Sequence, residues 1–170
     1  YGEVEDYQLS VDLFDFGDVP ASYELNNAST SQPARHIANP FYRMGTIVDD
    51  EATASSVIAG ADNNGTNGDG LDEDGITTLP LITRGAPLSF SVPITTETAS
   101  STIAWIDFNN DGKFQETEAA YISATSASTV AQRTYQTTDA GSSSITFYFK
   151  GEQTASIPLA ATHLYSRIRL

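Results

Sequence analysis

The residues whose types and spacing best support chemistry run from Asp107 to Glu118. Asp107, Asn109 and Asp111 place side-chain oxygens at loop positions 1, 3 and 5, Gly112 stands at 6, Lys113 at 7 and Glu118 at 12. This is EF-hand ligand spacing: alternate oxygens wrap one hard cation, Gly allows the sharp turn, position 7 contributes a main-chain carbonyl, and the distal carboxylate closes the shell. The alternative is a solvated Asn-Asp-Gly hairpin turn. A plain turn, however, has no use for both the Asp107/Asn109 alternation and Glu118. The preceding Thr102–Ile106 is β-branched and aromatic, so the loop is expected to continue a strand rather than a helix.

Other oxygen-rich clusters join it. Asp62, Asn64, Asp69, Asp72 and Asp74 recur at short intervals among glycines that let the backbone curl its carbonyls inward, and one ion or two are expected there. Asp49, Asp50 and Glu51 form a third group, and Asp15 with Asp18 a fourth. Taken singly, these last two also read as helix starts or turns. Calcium takes about six to eight oxygens, commonly from more than one loop, so several Ca2+ ions are the expected cofactors.

Composition limits the partners. Eight basic against 22 acidic residues give a formal net charge of −14, which repels a phosphate backbone or an anionic membrane. Neither nucleic acid nor membrane insertion is expected, and no apolar run approaches spanning length. The chain has no Cys, which removes disulfides, thiolate metal sites and cysteine nucleophiles. Divalent ions are then the simplest staple. His36 and His163, the two histidines, have no Gly-x-Ser-x-Gly elbow, phosphate loop or His-Glu-x-x-His pair beside them. An enzyme is therefore not expected. Paired carboxylates could serve a secreted hydrolase, but here they come in groups of three or more.

The elements that must carry these loops read as strands. Tyr7 to Leu13, Leu88 to Val92 and Ile145 to Phe149 alternate apolar and polar residues, the pattern of strands buried on one face. Further strands are expected at Ile76–Leu79, Thr102–Ile106, Ala120–Ser123, Thr129–Tyr135 and Leu164–Leu170, with Trp105 in the core and Tyr148 on the outer face. The best candidate for a short helix is Asp49–Ile58. The fold class expected is all-β: an antiparallel β-sandwich, residues 1–170 forming one module, with long calcium-stabilised loops and little helix. An irregular insertion of this length, from about Asp15 to Gly75, needs internal anchoring.

Several stretches resemble the successive signatures of the GEVED-type domain of large secreted bacterial surface proteins, including repetitive calcium-dependent, RTX-like adhesins. They are Tyr1-Gly-Glu-Val-Glu-Asp-Tyr7, Asp15-Phe-Gly-Asp-Val-Pro-Ala-Ser-Tyr23, Val48-Asp-Asp-Glu51, Asp72-Glu-Asp-Gly-Ile76, Trp105-Ile-Asp-Phe-Asn-Asn-Asp-Gly112 and Arg167-Ile-Arg169. The resemblance implies calcium ligation by the acidic signatures and an extracellular, cell-surface location within a longer chain. In the family pattern the Gly-Glu-Val-Glu-Asp-Tyr strand closes the domain, whereas here it opens the chain. Residues 1–13 are thus either the tail of a preceding module or a permuted or donated strand pairing with Leu164–Leu170. Glu3 and Glu5 would face a cation or a bulge-placed arginine, since Arg167 and Arg169 alternate away from Ile168 and Leu170.

The leading expectation is a monomeric, calcium-dependent ligand-binding module for cell adhesion and biofilm formation. It would capture a short peptide or glycan on another cell surface, through Asp50, Asp72 and Asp74 with Tyr148 nearby. The alternative is a calcium-rigidified spacer that contacts only its neighbouring domains.

Overall fold

The computed structural model describes residues 14–16, 19, 23, 34–48, 75–76, 78, 80–124 and 136–170. Among the described residues seven strands run in chain order: β1 (Phe14–Phe16), β2 (Arg35–Ile37), β3 (Leu88–Thr96), β4 (Ser100–Ile106), β5 (Gln136–Thr138), β6 (Gly141–Phe149) and β7 (Ser166–Arg169). The described residues also include a 3-10 turn, Glu116–Glu118, and a helical turn, α1 (Gly151–Thr154). Every strand pairing is antiparallel: β1 with β2, β3 with β6, and β4 between β5 and β7. The all-β expectation holds.

The chain passes between the β3–β6 and β5–β4–β7 sheets twice at one end, over 97–99 and over 139–140. The two crossings are tied together, because the Thr96 hydroxyl donates to the Asp139 carbonyl at 3.1 Å. Alternation sets the faces. In β3, Leu88, Val92 and Ile94 are buried while Ser89, Ser91 and Pro93 are exposed; in β6, Ile145, Phe147 and Phe149 turn inward. On the outer face the Ser91 and Thr146 hydroxyls bond at 2.8 Å. Both sheets feed one apolar cluster, to which β4 adds Ala104 and Ile106, and the first turn after β4 adds Phe108. Phe108 has no exposed surface and meets Phe149 edge-on at 5.3 Å between centroids.

Several expectations are corrected. Trp105 is not core: β4 turns Thr102, Ala104 and Ile106 inward, and Trp105 stands opposite Arg167 of β7. The rings of Phe90, Phe108, Phe147 and Phe149 already fill the layer, so small Ala104 fits inside and the indole goes outside. Ala120–Ser123 is not a strand; Tyr121 makes one isolated bridge to Tyr148. Ile76 and Thr78 lie outside any strand, and Gly75 is there for close packing, since a Cβ would lie 2.8 Å from the Met44 carbonyl oxygen. The β1–β2 pair and α1 were not anticipated. Tyr7–Leu13, Asp49–Ile58 and Thr129–Tyr135 lie outside the described residues.

Phe108 belongs to both the core and the acidic loop, so Phe108→Ala is expected to cost about 3–5 kcal/mol, the usual range for emptying a buried aromatic site. Urea unfolding of the two proteins checks this; a loss under about 1 kcal/mol would mean that the loop entrance is not anchored by this ring.

Candidate functional site

The acidic loop begins where β4 ends. The Asp107 N–H extends the ladder by donating to the Tyr165 carbonyl at 3.0 Å, which carries the Asp107 side chain into the interior with no exposed surface. There its Oδ1 accepts the Asp111 N–H at 3.1 Å, and its Oδ2 accepts the Gly112 N–H at 2.8 Å and the Tyr23 hydroxyl at 2.7 Å. Asn110 and Gly112 both take positive φ, 56° and 81°, and this left-handed backbone curls the loop's N–H groups toward the carboxylate. Asn109 Oδ1 shares the Asp111 N–H at 2.9 Å.

The 3-10 turn brings the second carboxylate back from the far limb. Glu118 is 4% exposed; its Oε1 accepts the Asn109 N–H at 3.3 Å and its Oε2 the Gln115 N–H at 3.1 Å. Burial pushes the Glu118 carboxyl above its ordinary range; the Gln115 and Asn109 N–H groups oppose this, while the charges of Asp107 and Asp111 reinforce it. The Tyr23 phenol is pushed well above its ordinary value, by burial first and then by its bond to Asp107, so it remains a donor. Its ring packs on Phe114 at 4.8 Å and Tyr165 at 5.2 Å, and the Arg167 guanidinium lies 5.1 Å over Phe114.

Sequence reasoning missed Gln153. It is buried in α1, and its amide donates to the Thr117 and Ala119 carbonyls at 2.9 and 3.0 Å, bracketing Glu118. A lone Gln in a polar stretch carries no signal for this role. Tyr23 closes the Asp15–Tyr23 signature, but the sequence assigns it no role, since its partner is 84 positions away.

Among the predicted ligands, Asp107, Asn109, Asp111 and Glu118 are brought into one loop; Lys113 is exposed on it. Among the described residues no three acidic or His side chains gather closely enough to hold a metal ion as they stand. The donor chemistry nonetheless fits calcium. Asp107 and Glu118 are buried oxygen donors, and no lysine or arginine among the described residues bonds to either. Each carboxylate oxygen carries two lone pairs, and both Glu118 oxygens use one for the N–H bonds above. Exposed Asp111 bonds through Oδ2 to the Asn109 side chain at 3.3 Å and to the Gln115 side chain. Glu3, Glu5, Asp18, Asp49, Asp50, Glu51, Asp62, Asn64, Asp69, Asp72 and Asp74 lie outside the described residues.

Asp15 lies elsewhere. It sits in β1 opposite His36 of β2, on the wall of a cleft of about 850 Å3 formed with residues 34–48, the start of β4 and the end of β7. Across this cleft Arg169 directs Nε and Nη2 to His36 Nε2, each at 3.1 Å. The His36 ring keeps an open face, yet loss of water, and secondly the Arg169 charge, hold its pKa below the ordinary value. Tyr148 is half-buried on the outer face of β6, its main chain bonded both ways to Tyr121.

Residues 101–170 match the family model of the GEVED domain. The match runs from within β4 to β7 with the whole acidic loop, and so bears out the resemblance over that part; the Tyr1–Tyr7, Asp15–Tyr23, Val48–Glu51 and Asp72–Ile76 signatures lie outside it. No curated protein and no solved structure matches the chain.

Two outcomes follow from this geometry. Tyr23→Phe removes a buried donor to an anion and is expected to cost about 1.5–3 kcal/mol, the range for a hydrogen bond to a charged group; unchanged urea unfolding would contradict it. For His36 the folded chain favours the neutral ring. Its contribution to stability is therefore full above the ordinary pKa of about 6.5 and declines as pH falls below that toward the depressed folded-state value. The stability difference between the natural chain and His36→Gln, followed by thermal melting from neutral to mildly acidic pH, should shrink on acidification; a constant difference would contradict this.

Proposed function

We propose that this chain is a non-enzymatic, calcium-dependent ligand-binding module of a secreted bacterial surface protein of the adhesin type. The observation that carries the calcium part is the pair of buried carboxylates, Asp107 and Glu118, unpaired with any described lysine or arginine. Buried charge is costly without a counter-charge, and an all-oxygen donor set of this kind suits a hard divalent cation. Asp107, Asn109, Asp111, Glu118 and the Lys113 carbonyl would hold it. Calcium supplies the positive charge that turns mutually repelling acids into a cross-link.

Burial of Asp107 and Glu118 also favours a structural role for an ion at this loop, which is the spacer reading. Capture of a peptide or glycan is assigned instead to the Asp49–Glu51 and Asp62–Asp74 loops, where Asp50, Asp72 and Asp74 would hold an ion with an open coordination position and Tyr148 would add contact area. Loops on a rigid framework are the usual place for such chemistry. Location outside the cell rests on the family resemblance, and among the described residues no helix is long and apolar enough to cross a membrane.

Calorimetric titration of calcium into stripped protein tests the metal reading: Asp107→Ala is expected to lose one site, and unchanged stoichiometry would make the loop a solvated turn. An array of peptides and glycans, probed with and without calcium, separates the two functions. Retention only with calcium supports capture; no retention in either condition favours the spacer.

A further inference from the structure

The chain has eight lysines and arginines against 22 acidic residues, yet Arg35, Arg43, Arg167 and Arg169 all line the single cleft described above. Asp15 is the one acid among its described lining residues. Half of the scarce positive charge is thus spent on one concavity of an acidic molecule, a placement that core building does not require.

Two of these arginines are poised rather than satisfied. The Arg43 backbone is bonded both ways to Thr95, at 3.0 and 2.9 Å, and Nη1 donates to the Pro40 carbonyl. Its Nε is buried and has no partner, which is an unfavourable state for a strong donor unless a ligand completes it. Arg169 aims two N–H groups at one atom, His36 Nε2. A neutral imidazole nitrogen offers one lone pair, whereas a carboxylate offers two oxygens in the geometry that a guanidinium fork matches. His36 is therefore a poor substitute for an anion. Ile37 and Ile47, 54% and 42% exposed, lie on the same cleft, so the site is both cationic and apolar.

We propose that this cleft binds an acidic peptide segment with alternating apolar residues, its carboxylates on Arg43 and Arg169 and its apolar side chains on Ile37 and Ile47. The cleft volume falls within the common range of about 300–1,000 Å3 for ligand sites, roomier than a lone oxyanion needs. The charge that meets the ligand is supplied by Arg43 and Arg169 rather than by a metal ion, so this binding is expected to persist in chelator.

The probe is a fluorescein-labelled, end-capped hexapeptide of alternating Glu and Val, titrated with the full chain in chelator and followed by anisotropy. Saturable binding that weakens with rising salt is expected, and a Gln/Val peptide is expected not to bind. Arg43→Gln and Arg169→Gln should each weaken binding by about tenfold, the scale of one lost charge-assisted contact. Absence of saturable binding, equal binding of the Gln/Val peptide, or unchanged affinity in both folded variants would overturn the proposal. Where a variant fails its melting check, the Glu-against-Gln comparison on the natural chain decides. Inorganic phosphate that displaces the peptide at equal concentration would overturn the peptide assignment in favour of a plain oxyanion site.

Discussion

The structure turns on a buried negative charge. Asp107 sits at the point where β4 leaves its sheet, and its carboxylate collects the Asp111 and Gly112 N–H groups and the Tyr23 hydroxyl at once. Without these donors the charge could not be placed inside. With them, one side chain joins the end of the ladder, the curl of the loop and an aromatic residue far away in sequence. Phe108 makes the arrangement one-piece, because the residue next to the carboxylate is a core ring. Changes in the loop therefore reach the core directly, through adjacent positions of the same backbone.

Glu118 is the other half of that constraint. It crosses the loop to bond the Asn109 N–H while Gln153 holds the carbonyls on either side of it. Two acids are thus brought into one neighbourhood, and burial first, with the charges of Asp107 and Asp111 adding to it, raises the Glu118 carboxyl against the pull of its N–H donors. A bound cation would relieve what the N–H groups leave. At the opposite extreme, the arginines of the cleft concentrate positive charge, and Arg167 reaches both regions by lining the cleft and stacking over Phe114 of the loop.

Much of this was legible in the sequence for physical reasons. The alternation of β3 and β6 survives because each has one face on the core and one on solvent, and the Asp107–Glu118 spacing is a local code read within twelve residues. Trp105 misled because alternation names two faces without saying which is inner; the surrounding phenylalanines decide that. The Ala120–Ser123 stretch has strand composition but makes only one bridge, at Tyr121, since pairing depends on a partner that no local pattern reveals. Tyr23, Gln153 and the arginine cleft depend on contacts between distant segments, where single-chain spacing carries no information.

The central claim is that calcium supplies the counter-charge which the buried acids lack. The most direct measurement is thermal unfolding of the natural chain in excess calcium and in excess chelator, at the same pH and ionic strength. A native-state ligand stabilises by mass action, so the account predicts a melting temperature markedly higher with calcium and dependent on its concentration. Superimposable melting curves in the two conditions would contradict it.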